Sequence, residues 1–337
     1  MISDRAGEGS MRNTGRVRHW WVIGCTLWWL LYGFVGCKPR ATTSERANSA
    51  RTKPLMYVDC YPLEFFAQRI GGDAVEVVFP VPGGEDPAYW QPGPAEIAAY
   101  QQADLILLNG AGYARWTQYA SLPPARVVDT SASFRDQYLR LAEAVVHKHG
   151  PQGEHSHEGI ASHTWLDPRL AREQARAVRD ALRQLLPESK AAYVDTNWSQ
   201  LDRQLDEWQI ALEQLARPTN RKMFASHPVY DYLARFCQWD LKSVHWEPGE
   251  MPSQDEWNRF EELRAQHDAS VMLWEDEPLE EIRNRLDALA VRPVVYLVCG
   301  NRPSSGDFLS VMRDNLQRLA KALEPSGEPA PAANSQP

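Results

Sequence analysis

Residues 188–216 (ESKAAYVDTNWSQLDRQLDEWQIALEQLA) run for nearly thirty positions without a glycine or a proline. Tyr193, Trp198, Leu201, Leu205, Trp208 and Leu212 recur there at intervals of three to five, which makes one apolar stripe along a helix. At 1.5 Å per residue such a helix reaches ~40 Å, long enough to tie two lobes together. A βα rhythm stands on each side of it.

Upstream, short apolar runs at 55–60, 75–81, 105–108 and 126–129 read as strands, with helical patterns after the first run and at 95–102. Downstream, strands at 222–225, 239–244, 271–274 and 294–299 alternate with helices over 229–237, 253–267, 279–289 and 307–323. Ser253 stands where an N-cap is wanted. Another amphipathic helix, 168–186, leads into the long one. Strands alternating with helices imply βαβ units and mainly parallel sheets, hence an α/β fold.

Arg12, Arg16 and Arg18 precede an uncharged, Trp-rich run over 20–36 that closes on Cys37. This is the order of a secretory signal, and Met11 would give it a tidier start. Residues 34–37 (FVGC) resemble the lipobox of bacterial lipoproteins, with Phe34 where that pattern usually has Leu. The expectation is a lipoprotein-type signal peptide over 1–37, lipidated at Cys37. An uncleaved anchor is the alternative, although about seventeen apolar residues is short for a span. Residues 38–54 read as a tether, and 324–337, rich in Pro, Ala and Ser, as a disordered tail. The body is expected outside the cytoplasm, periplasmic or extracytoplasmic, held to the membrane by the lipid.

Residues 147–168 (HKHGPQGEHSHEGIASHTWLDP) hold five of the nine histidines. His147, His149, His155 and His157 form two H-x-H pairs among Gly, Pro, Gln and Ser, and read as an auxiliary metal-attracting loop. A solvated polar loop is the plainer alternative. His163, ahead of Trp165-Leu166-Asp167, reads as a fixed ligand at the edge of an ordered element. In open parallel sheets ligands bind beyond the carboxyl ends of the strands. That selects Cys60, Asn109, His227, Glu275 and Cys299, a set rich in metal-ligand types. The sequence has no nucleophile elbow, phosphate-cradling glycine loop or GxGxxG, so it favours binding over catalysis. A net charge of −8, with no basic run after the N-terminal region, argues against nucleic acid. Outside the signal and Cys37 stand Cys60, Cys237 and Cys299, an odd number. One thiol is therefore free unless it pairs between chains, and Cys60 with Cys299 could form a disulfide.

The segments YPLEFFAQRIGGDAVEV, GGEDPAYWQPGP, ADLILLNGAGYARW, HTWLDP, SHPVYDYLARF, EPGEMPS and LWEDEP occur in that order. In this series the chain resembles, over residues 55–323, the bacterial solute-binding proteins that deliver zinc or manganese to ABC importers, the zinc-uptake type in particular. The resemblance implies two Rossmann-like lobes, 55–186 (with the His-rich loop, 147–163) and 218–323, joined by a helix over 187–217. It implies metal held in the cleft between them, zinc as the cargo with manganese or copper as alternatives, an ABC permease as partner, a monomer, and no enzymatic activity. Two positions depart from the family. The histidine after Asp-Pro is Ala88, and the acidic residue at the last strand end falls near Val298 and Cys299. His163 and His227 remain, and two imidazoles fall short of the usual three or four ligands. The rest could come from Cys299 or Cys60, a softer set suited to zinc or Cu(I). It could come instead from Glu275, Glu85, Asp86 or water. Otherwise the cleft has turned to another ligand, as an adhesin or accessory factor. A metallohydrolase is a further alternative, but it would need an open coordination position and a general base, and no base is evident.

Overall fold

The computed structural model describes residues 51–141, the backbone of 147–148 and 154–155, and 159–324. The signal, the tether up to residue 50, the tail from 325 and the side chains of the His-rich loop lie outside the described residues. Strand β1 (Leu55–Val58) leads to α1 (Tyr61–Gly71), β2 (Glu76–Val78), α2 (Pro94–Gln102), β3 (Leu105–Leu108) and β4 (Val127–Asp129). Two-residue strands β5 (His147–Lys148) and β6 (Glu154–His155) pair antiparallel. Helices α3 (Pro168–Leu185) and α4 (Ala191–Leu215) follow. Then come β7 (Lys222–Ala225), α5 (Asp231–Cys237), β8 (Asp240–Ser243), α6 (Gln254–Gln266), β9 (Val271–Trp274), α7 (Glu280–Ala288), β10 (Arg292–Val295) and α8 (Phe308–Leu323).

The two four-stranded sheets run β2-β1-β3-β4 and β8-β7-β9-β10, with every pair parallel. Counted within its own lobe, each sheet has the order 2-1-3-4. The strand order therefore reverses between β1 and β3 in one lobe and between β7 and β9 in the other, and the crevice for a ligand opens at such a switch point. Residues buried on both faces (VMLW in β9, nearly all of LILL in β3) suit strands covered by helices on either side.

A 3-10 turn, Glu188–Lys190, comes before α4, so the helix begins at Ala191 rather than at Pro187. Val194, Trp198, Leu201, Leu205, Trp208 and Leu212 are buried, and α4 packs on α1, α3 and α8. Burying one such leucine stabilises the fold by ~2 kcal/mol. Tyr193 is 41% exposed and lies off the stripe, which Val194 heads instead. Its hydroxyl covers Gly72 (φ +48), where an added Cβ would come within 2.1 Å of it.

Two strands end earlier than the β-like runs that contain them. The ladder from β1 to β3 stops at Val58 opposite Leu107, and Cys60 is the extended N-cap of α1. Strand β10 stops at Val295 because its register partner, Trp274, is the last residue of β9. Beyond it the Leu297 N–H donates to Asn315 Oδ1 (2.9 Å), and the Leu297 carbonyl accepts from Asn315 Nδ2 (2.8 Å). Cys299 is therefore not at a strand end; it takes a left-handed backbone, φ 62. Ser253 caps α6 in a reciprocal box with Glu256.

The lobes meet at two seams. At the first, Trp165 Nε1 donates to Val298 O (2.8 Å), Tyr61 N to Gly300 O (2.9 Å), and Asn301 Nδ2 to Pro82 O and Glu85 O (2.7 Å each). Arg302 forks onto both oxygens of Glu64 at 2.7 Å. At the second, Arg235 donates to Gln137 O (2.6 Å) and Asp167 Oδ2 (3.1 Å). Phe308 of α8 packs on Phe65, Phe66 and Trp208.

Candidate metal centre

His227 lies two residues beyond β7, and Glu275 directly follows β9. The strands are parallel neighbours, so the two side chains meet at the switch point, with His227 Nδ1 3.1 Å from Glu275 Oε1. Glu247 stands 3.7 Å from the same nitrogen, and the His245 ring lies 5.9 Å from the His227 ring. Burial disfavours the charged form of His227. The hydrogen bond to Glu275 and the charges of Glu275, Glu247 and Asp86 outweigh that effect, and its pKa is raised above the usual 6.5.

His163 belongs to the other lobe, in the turn before α3. Its ring stands edge-on to Tyr113 (5.5 Å) and tilted against Trp165 (5.1 Å). Burial, with a smaller contribution from the charge on His227, pushes its pKa down to about 4 against the opposing pull of Glu275. At neutral pH the imidazole is uncharged and keeps a lone pair to offer.

Asp86 turns the loop that follows β2. Its Oδ1 accepts from Ala88 N (2.9 Å), and its carbonyl accepts from Tyr89 N (3.0 Å) and Trp90 N (2.9 Å). The residue is exposed overall, yet the surrounding chain desolvates its carboxyl. That raises its pKa, Glu275 raises it further, and the Ala88 N–H and His227 hold it back. Asp86 is thus within electrostatic reach of the His227–Glu275 pair. Ala88 is buried in this turn, and beside it the Tyr89 hydroxyl accepts from Arg115 (3.0 Å). Glu85 is exposed, its carbonyl taken by Asn301.

The thiols stand in a different chemistry. Cys60, Cys237 and Cys299 are all free and buried, so Cys60 and Cys299 do not form a disulfide. Burial first, and the Asp59 charge second, push the Cys60 thiol well above its usual range. Burial and Asp307 push Cys299 up to about 12. A ligating thiolate needs the opposite surroundings. His267 is a core residue, its Nε2 3.1 Å from Met223 O.

Among the described residues, no three His, Cys, Asp or Glu side chains form a ready-made metal-holding group. The structure offers the His227–Glu275 pair from one lobe, with His163 and Asp86 from the other within electrostatic reach. Sequence reasoning passed over Glu247 and Tyr113. The first lies in EPGEMPS and the second in NGAGYARW, segments whose order was informative while their contacts were not. The Tyr113 hydroxyl is buried and lacks a hydrogen-bond partner among the described residues.

A family model described as "Zinc-uptake complex component A periplasmic" matches residues 57–322. The chain is 24% identical over 295 residues to the high-affinity zinc uptake system protein ZnuA of Bacillus subtilis (strain 168), covering 84% of this chain and 92% of that protein. It is 22% identical over 280 residues to the zinc-binding lipoprotein AdcA of Streptococcus pneumoniae (R6), which covers 79% of this chain but 55% of AdcA, so the match spans about half of that relative. Among solved structures, the Zn(II)-bound ZnuA-like domain of Streptococcus pneumoniae AdcA superposes with a TM-score of 0.67 at 18% identity, covering 80% of this chain and 98% of that one.

Proposed function

Since the chain belongs to the periplasmic zinc-uptake component A family, we propose that its cleft captures zinc with His163 from one lobe and His227 from the other, and that the protein hands the ion to an ABC importer. The observation that carries the reading is the His227–Glu275 pair at the switch point of the second sheet, 3.1 Å apart, with an uncharged His163 from the other lobe in its field. Glu275 accepts from the Nδ1 side of His227, the arrangement that fixes the tautomer and orientation of a metal-ligating imidazole. Glu275 then orients the ligand rather than serving as one.

The remaining coordination is best supplied by oxygen. Asp86 sits two residues before the alanine that replaces the family imidazole, and the carboxylate of Glu247 stands beside His227. Cys60 caps α1 in the core, Cys299 lies in a left-handed turn beyond β10, and neither joins a group of three or more potential ligands among the described residues, so thiolates are left out of the proposed set. His147, His149, His155 and His157 would raise the local zinc concentration at low affinity. We further propose that Cys37 carries the lipid and that the body works outside the cytoplasm as a monomer. Among the described residues no helix is long and apolar enough to cross a membrane. Members of this family are transport proteins, so the hydrolase reading is set aside.

The test is zinc titration under reducing conditions of the protein lacking residues 147–157, beside the same protein carrying His163→Ala or His227→Ala. One tight site, lost in both variants, is expected. A loop-deleted protein with no tight site would end the zinc reading.

A further inference from the structure

At the switch point of the first sheet, the counterpart of the one where the second sheet carries His227 and Glu275, lies a largely buried polar lattice. Asn109 directly follows β3, and its N–H meets both carboxyl oxygens of Asp59 at 3.0 Å. Its side chain reaches the residues on either side of His163. Nδ2 donates to Ser162 O (2.9 Å), and Oδ1 accepts from Thr164 Oγ1 (3.0 Å) and Gln174 Nε2 (2.8 Å). The second proton of Nδ2 goes to Gly110 O (2.9 Å). Asn109 and Thr164 are 0% exposed and Gln174 is 1% exposed.

We propose that Asn109 is the positioning residue of the His163 imidazole, its amide gripping both neighbours of His163 and so fixing where the ring stands before a metal arrives. This rests on the reading of His163 as a zinc ligand. The backbone at His163 (φ −82, ψ 57) belongs to neither helix nor strand, so no regular ladder holds it. An amide has two donors and one acceptor group, and Asn109 directs both kinds at the flanks of His163. A buried network with every member satisfied is rigid, and a site held in place beforehand binds without first having to order itself. Aromatic contacts from Tyr113 and Trp165 limit the tilt of the ring, while Asn109 sets the position of its Cα.

The test uses the full chain with His147, His149, His155 and His157 changed to Ser, so that only the cleft reports. Zinc affinity is measured by competition with a chromophoric chelator for the parent, Asn109→Ala, His163→Ala and the double variant, with thermal unfolding beside each. Asn109→Ala is expected to weaken zinc about 10- to 100-fold, the usual effect of losing a residue that orients a ligand. In the His163→Ala background it should change affinity by less than about threefold, since the residue it positions is gone. Losses that multiply in the double variant would mean that Asn109 supports the fold at large, and the proposal would be wrong. A His163→Ala variant with parental affinity would overturn the ligand reading, and this proposal with it. If Asn109→Ala does not fold, Thr164→Val removes one flanking bond while keeping the asparagine, and the same cycle is run with it.

Discussion

Arg302→Ala should loosen the molecule by an amount that follows from the first seam. The guanidinium makes two charged hydrogen bonds to Glu64 at 2.7 Å and a third to Phe79 O at 2.9 Å. The Glu64 side chain is 5% exposed and that of Arg302 46%. Without the arginine, the buried carboxylate keeps, among the described residues, the hydrogen bond from Gln68 Nε2 at 3.2 Å. Removing one partner of a fully buried ion pair costs ~3–5 kcal/mol. Arg302 is nearly half in water, so the loss is discounted to ~2 kcal/mol. For a body of this size that lowers the unfolding temperature by roughly 4–8 °C. Calorimetry of Arg302→Ala, Glu64→Leu and Arg302→Leu/Glu64→Leu reads the coupling. The double variant should recover most of the loss, because it leaves no charge buried and unpaired. Strictly additive losses, or an Arg302→Ala within ~0.5 kcal/mol of the parent, would show that the carboxylate finds water and that the seam contributes little.

Glu275→Gln should act on His227 in two ways. The raised pKa of His227 means that its contact with Glu275 contributes stability in full below pH 6.5, and that this is lost as pH rises through the folded value. The variant should lose that acid-side stability. It should also bind zinc ~10- to 100-fold more weakly at pH 7.5, with a smaller further drop at pH 6 because protons compete less for the ring. An unchanged ratio of affinities at the two pH values would count against the pairing. Asp59→Asn addresses a buried acid. Burial raises Asp59 to about 7 against the Asn109 N–H that favours its charge. The unfolded chain gives up this proton near pH 3.8 and the folded one near 7, so stability falls as pH rises across that window, by at most ~4 kcal/mol. Denaturant midpoints at pH 4 and pH 8 should differ less in the variant than in the parent; parallel profiles would sink the assignment.

The alternation of strands and helices, and with it the α/β class, was legible because each strand is a short apolar run closed by a turn. The ends of those strands were not. The runs at 55–60 and 294–299 both read on past their ladders, through Asp59 and Cys60 in one and Tyr296 to Cys299 in the other, since a strand is only as long as its neighbour and the neighbour's length is not local information. That is why Cys60 and Cys299 read as strand-end ligands. One is a helix cap in the core, and the other lies beyond β10 in a left-handed turn. His227 and Glu275 were legible as strand-end residues of adjacent strands, but the Nδ1 contact between them appears only in three dimensions. The bracket around His163 was illegible for the same reason: Asn109 stands 53 residues from Ser162 and 55 from Thr164. Tyr193 shows the local limit of periodicity, because a spacing of three to five admits either it or Val194 to the stripe, and the glycine beneath its hydroxyl decides.

The packing of α8 has a consequence for how the chain is made. Phe65 and Phe66, near the start of the folded body, are covered in part by Phe308, and Glu64 meets its partner 238 residues later. Contacts of such long range form slowly, because the intervening chain must be closed first. A chain emerging from its N-terminus can pair β1 with β3 early. It cannot complete the aromatic cluster of Phe65 and Phe66 until Phe308 of α8 has been synthesised. A nascent or truncated chain ending before Phe308 therefore leaves open the part of Phe65 and Phe66 that Phe308 covers, although α3 and α4 already pack on α1. The last gap over α1 is closed only by the last helix.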